Sequence, residues 1–83
     1  MSDLLPKIQA AFHEALGTAA STVTVESTPD DIPGWDSLGH VALASELEKQ
    51  FNVSFSIDEL MSMESVKAIV ATIEGLLARS DGA

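Results

Sequence analysis

The chain has 83 residues, with thirteen acidic side chains against four basic ones and a formal net charge of −9. Phosphate backbones and anionic membrane surfaces would repel it, which excludes nucleic-acid binding and membrane docking. It has no cysteine, so disulfides and thiolate metal sites are excluded, and no apolar stretch reaches membrane-spanning length.

The 46% apolar content argues for a folded core despite the acidity. A chain this short is expected to form one small domain, residues 1–83, with an ordered core over about 4–78. Nothing near Met1 has the pattern of a signal peptide, and the expected location is the cytoplasm. Such a field attracts basic partner surfaces and speeds encounter with them. Self-repulsion at −9 should make the fold less stable in low salt. The melting temperature is therefore expected to rise with added salt or magnesium, and a melt indifferent to ionic strength would contradict this.

Four helical segments are expected, with no strand pattern. Leu5, Ile8, Phe12 and Ala15 recur at helical spacing. Asp3 is the expected N-cap, Pro6 falls in the first turn where a missing N–H costs nothing, and Gly17 marks the stop. The first helix is thus expected from about Leu4 to Leu16.

From Gly17 to Asp36 no helical period survives. Hydroxyl residues lead into Pro29-Asp30-Asp31 and Pro33-Gly34, both turn chemistry. Loops of this length in small domains are usually functional or disordered, and this one is expected to be ordered. Val23, Val25, Ile32 and Trp35 are the side chains expected to pin it to the bundle.

The second helix is expected to open at Asp36-Ser37, with Asp36 capping, and to end at Asn52. Ser56-Ile57-Asp58-Glu59 reads as a capping box that starts a short third helix with Ile57, Leu60 and Met61 as its apolar face. The fourth carries the stripe Val66, Ile69, Val70, Ile73, Leu76 and Leu77, capped by Ser65 or Ser62. Arg79 near its C-terminus suits the helix dipole, and Ser80 to Ala83 are expected to fray.

The second helix has two apolar stripes. His40, Leu43, Ala44, Leu47 and Phe51 gather on one face and read as core. On the opposite side Leu38, Val41, Ala42 and Ser45 gather beside Glu48 and Lys49, next to Ser37. Scattered exposed apolar residues need no cause, but a cluster does, and this one reads as a docking surface with a charged rim. His40 is expected to be packed or partly buried, with gating of a neighbouring pocket as its sharper role; His13 reads as a surface residue. Trp35 is expected to anchor the loop, with flanking the group held at this site as its sharper role, and Met61 and Met63 to pack adaptably at the mouth of the core or to line a pocket there. Asp30, Asp31 and Asp36 lack calcium-loop spacing, and neither histidine has the company of a metal site or triad, so no metal and no autonomous catalysis are expected.

The segment Gly34-Trp35-Asp36-Ser37-Leu38-Gly39-His40-Val41 resembles the attachment motif of the acyl carrier protein family, an Asp-Ser-Leu at the start of the second helix. The resemblance runs from about Leu4 to Leu77, including the long first loop, the Leu43/Leu47/Phe51 spacing and the short helix after Phe51-Asn52-Val53. It implies an all-α, acyl-carrier-like four-helix bundle of three longer helices, one short helix and a long first loop. It also implies that a phosphopantetheinyl transferase attaches 4′-phosphopantetheine from coenzyme A to Ser37, with Asp36 capping the helix and presenting the serine. The arm's thiol would then carry acyl groups as thioesters. A helix N-terminus suits an attached phosphate by about 0.3–1 kcal/mol.

The family's docking positions fall on Leu38, Val41, Ala42, Ser45 and Glu48 here. Its partners are acyl-loading, condensing or tailoring enzymes with basic surfaces, met by a monomeric carrier that is not an enzyme. The sequence departs from the family at Gly39 and Ala42, which stand where acidic residues are common, and at Lys49. That points away from housekeeping fatty acid synthesis and toward a polyketide, modified-lipid or other secondary pathway. An aminoacyl or peptidyl carrier is the nearest alternative, and an unmodified helix-mediated interaction module the alternative of another class.

Overall fold

The computed structural model describes the backbone of residues 4–82 and the side chains of residues 4–78. In chain order it contains α1 (Leu4–Leu16), a single 3-10 turn (Ala20–Thr22), α2 (Ser37–Phe51), α3 (Ile57–Ser62) and α4 (Val66–Gly82), with no strand among the described residues. This is the four-helix bundle that the sequence predicts. The expected Asp3 cap and the Arg79 side chain lie outside the described residues. The fraying expected from Ser80 is not seen as far as Gly82, which is still helical; Ala83 lies outside the description.

Each boundary has a local cause. Gly17 ends α1 with φ +72° and its N–H bonded to the His13 carbonyl. Asn52 closes α2 in the left-handed conformation (φ 56°), a role that short polar side chain tolerates. Ser56 and Glu59 form the expected capping box at α3, each side chain accepting the other residue's amide. Ser65 caps α4 by accepting from the Ala68 amide at 3.1 Å, whereas Ser62 donates to the Glu59 carbonyl.

The core draws on every helix but α3. Ile8, Ala11 and Phe12 of α1, Leu43, Ala44, Leu47 and Phe51 of α2, and Val66, Ile69 and Ile73 of α4 are buried together with Met63. The inner stripe of α2 is therefore as predicted, with His40 half-buried at its head. Burying a large aliphatic or aromatic side chain is favourable by about 1.5–3 kcal/mol, so this cluster dominates the fold's stability.

The long loop is fastened at several points. Val23, Ile32 and Trp35 are buried as expected, but Val25 is exposed. The reason is a tight turn: the Ser27 amide bonds to the Thr24 carbonyl, so Val25 occupies the turn's outer corner and Ser27 takes the inward place. The buried Ser27 hydroxyl accepts from the Thr24 amide, and its carbonyl accepts from the Val66 amide, which ties the loop to the start of α4. The Gln9 side chain donates to the Val23 carbonyl at 2.8 Å from α1. The 3-10 turn has no signature in hydrophobic period; Thr22 donating back to the Ala19 carbonyl closes it.

The third helix differs from expectation. Ile57 and Met61 point to solvent, at 74% and 69% exposure, while Leu60 is half-buried and Met63, past the helix end, is fully buried. Six residues make fewer than two turns, too few to bury a full apolar face. The core contact falls to Leu60 and Met63, and the Ile57/Met61 pair (i, i+4) is left on the outside.

Candidate attachment site at the head of the second helix

The end of the long loop sets the site. In Ile32-Pro33-Gly34-Trp35 the Trp35 amide bonds to the Ile32 carbonyl at 3.2 Å, with Pro33 fixing the second position and Gly34 supplying φ +87° at the third. This turn drops Trp35 into the core, where its ring meets Phe12 edge-on with centroids 4.9 Å apart. The next residue, Asp36, is extended and caps α2: its Oδ1 accepts from the Gly39 amide at 2.9 Å and its carbonyl from the His40 amide at 2.7 Å. Ser37 is thereby the first helical residue, and it is exposed. Asp36 acts as the cap the sequence predicts.

Gly39 has a packing role that its place in the motif conceals. A Cβ there would overlap the Gly34 carbonyl oxygen and stand 3.0 Å from the Leu16 Cδ2 atom. The head of α2 lies so close to the Pro33-Gly34 turn that only a glycine fits. In sequence Gly39 stands where the family commonly has an acidic residue; in the structure it is what lets the loop and helix meet.

His40 is held at both ring nitrogens. Trp35 Nε1–H donates to His40 Nδ1 at 2.8 Å, and His40 Nε2 lies 2.8 Å from the Leu60 carbonyl. An indole N–H only donates and a carbonyl only accepts, so the pair of contacts defines the neutral tautomer with its proton on Nε2. The two rings are stacked at 24° with centroids 6.1 Å apart. His40 thus joins the loop, α2 and α3, a link no local pattern could show because Leu60 is twenty residues away.

A cavity of about 560 Å³ opens beside Ser37, lined by Trp35, Asp36, Ser37, His40, Met61 and Met63, by Thr28, Pro29 and Asp30 of the long loop, and by Glu64. Its lining mixes thioether and aromatic surface with three carboxylates and includes no lysine or arginine. Asp31 accepts from both the amide and the hydroxyl of Thr28 at 3.1 Å, which holds the loop edge in shape. No cluster among the described residues could hold a metal ion. His13 is at the surface, within 3.2 Å of the Thr18 carbonyl and away from this site.

The docking residues read from sequence divide in two. Leu38 (84% exposed), Val41 (57%), Ala42 and Ser45 all face outward on α2. Glu48 is different: its carboxylate accepts from the Phe55 amide at 2.8 Å and its carbonyl from Asn52 and Val53, so it fastens the α2–α3 connection. Met61 and Met63 both line the cavity, as the alternative reading of these methionines expects; Met61 is exposed rather than packed because α3 is so short.

The residues present fit a covalent phosphate-linked arm. Ser37 offers an exposed hydroxyl on the lip of a cavity. The Ser37 and Leu38 amides head the helix and have no carbonyl one turn earlier to accept them, so they favour an anion. The Asp36 carboxylate opposes a phosphate, but both are exposed and solvent screens the repulsion. Such an arm supplies a thiol that this cysteine-free chain lacks.

A helical bundle that offers an exposed serine at a helix head, with a cavity beside it, has the architecture of a carrier domain. The model of the family "Phosphopantetheine attachment site" matches residues 6–73, and the chain belongs to that family. It is 31% identical over 71 residues to an acyl carrier protein of Exiguobacterium sibiricum, covering 86% of this chain and 90% of that one. With an acyl carrier protein of Phytoplasma australiense it shares 35% identity over 75 residues, covering 90% and 99%. It is also 34% identical over 80 residues to a non-reducing polyketide synthase of Emericella nidulans, covering 95% of this chain but only 3% of the synthase. The cofactor of the family is 4′-phosphopantetheine. Carrier domains of this type are not catalytic themselves and work with a phosphopantetheinyl transferase and partner enzymes. No described helix is long and apolar enough to cross a membrane.

Proposed function

We infer that this chain carries acyl intermediates as thioesters on a 4′-phosphopantetheine arm joined to Ser37, in a specialised pathway such as polyketide, modified-lipid or other secondary metabolism. The observation that carries the reading is Ser37 itself, exposed as the first residue of α2 on the lip of the cavity, with Asp36 capping the helix beside it.

The specialised assignment is supported by the state of the acidic residues on α2. Only Glu46 and Glu48 are acidic in that helix; Glu46 pairs with Lys49 at 3.0 Å and Glu48 is bonded to the Phe55 amide. The outward face is thus an apolar centre of Leu38, Val41 and Ala42 with little free negative charge. Docking there relies on apolar fit, with long-range attraction supplied by the charge of the whole chain. The likeness to a polyketide synthase segment supports the same direction.

Intact mass of the protein isolated from its own host tests this reading. The expected result is one phosphopantetheine, part of the population bearing an acyl group. An amino acid or peptide on the arm would replace the assignment with an aminoacyl carrier, and a population with no arm would favour an unmodified interaction module.

A further inference from the structure

We propose that His40 bolts the inner end of the cavity beside Ser37, so that acyl cargo rests in that surface cavity and does not enter the bundle core. The proposal rests on the carrier reading above, and deepens it by setting which cargo the chain protects: short acyl groups, with longer ones left in solvent.

Three observations carry it. First, the cavity is continuous with the attachment residue, because Ser37 and Asp36 are part of its lining, so a tether on that serine begins at its mouth. Second, His40 adjoins both the cavity and the core. It lines the cavity, yet it is also the first residue of the buried stripe that continues through Leu43, Ala44 and Leu47. Third, its ring cannot swing aside cheaply. Both nitrogens are engaged, one by the Trp35 N–H and one by the Leu60 carbonyl, each at 2.8 Å. Moving it would strip the Trp35 N–H of its acceptor, the costly way to lose a hydrogen bond, and leave the Leu60 carbonyl with only the longer bond from the Met63 amide at 3.4 Å. Trp35, which holds it, is in turn buried against Phe12.

Behind His40 the stripe runs into fully buried side chains, Leu43, Leu47 and Ile69, which an entering alkyl chain would have to part. In the cavity itself, Trp35, Met61 and Met63 offer apolar surface for a few methylenes, and Asp30, Asp36 and Glu64 add carboxylates that an alkyl chain avoids. The cavity therefore accepts the first part of an acyl chain and the bolt stops the rest.

The experiment loads the full chain with butanoyl or dodecanoyl pantetheine from the corresponding acyl-coenzyme A and a broad transferase, in native and His40→Ala forms. Three readings follow: the mass added, the melting temperature, and the methyl NMR shifts of Leu43 and Leu47. In the native chain, both acyl groups should give the same melting temperature and leave the Leu43 and Leu47 methyls unmoved. In His40→Ala, dodecanoyl alone should shift those methyls and raise the melting temperature by several degrees, since burying methylenes is stabilising.

Dodecanoyl shifting the Leu43 and Leu47 methyls of the native chain would overturn the proposal while leaving the carrier reading intact. So would a His40→Ala chain that folds and remains closed to dodecanoyl. If His40→Ala fails to fold, Trp35→Phe, which removes the N–H donor and keeps an aromatic ring, takes its place with the same expected result. Absence of any added mass would remove the carrier reading and this inference together.

Discussion

Gly39→Ala is expected to destabilise the protein and slow its modification, although alanine is the better helix former. Helix propensity alone would favour the substitution by about 0.8–1 kcal/mol. Against that stands a backbone collision: the new Cβ would overlap the Gly34 carbonyl oxygen and press on Leu16 at 3.0 Å. Overpacking of this kind costs about 1–3 kcal/mol. The partner atom belongs to backbone in a turn with φ +87°, and that turn sets Trp35, so it cannot yield without dislodging the loop's main anchor. The clash outweighs the propensity gain. For a domain of this size each kcal/mol lost lowers the melting temperature by about 4–8 °C. A calorimetric melt of Gly39→Ala should fall below that of the native chain, and a melt at or above it would contradict the close approach of loop and helix.

Ser37→Ala is expected to behave in the opposite way, leaving the fold unchanged and abolishing the attachment. Ser37 is exposed, and the capping of α2 is performed by Asp36. Surface substitutions away from caps and cores usually change stability by less than about 0.5 kcal/mol. Circular dichroism and the melting temperature should match the native chain, while incubation with coenzyme A and a broad transferase should add no mass. The two substitutions stand two positions apart in one turn, one altering the scaffold and the other only the acceptor oxygen.

Much of this arrangement is legible in the sequence because it is local. The Ser56/Glu59 capping box, the Asp36 cap, the Gly17 and Asn52 stops and the stripe from Leu43 to Phe51 each follow from residues within one or two turns of each other. The outward face of Leu38, Val41, Ala42 and Ser45 is legible for the same reason. What the sequence conceals is non-local. Glu48 sits on the docking side by helical angle, yet the chain's return at Asn52 brings the Phe55 amide to its carboxylate. Gly39 looks like a missing acid until the Gly34 carbonyl is found against it. The apolar character of Ile57 and Met61 suggests core, but a helix of six residues cannot turn every apolar side chain inward. Val25 falls on the corner of a turn whose closing bond is invisible in hydropathy.

The most direct test of the central claim is fragment mapping of the modified chain by mass spectrometry after reaction with coenzyme A and a broad transferase. The account predicts a single phosphopantetheine on the fragment containing residues 34–41, with the bond at the Ser37 oxygen. Attachment at any other hydroxyl, Thr28 across the cavity included, or no attachment at all, would contradict it.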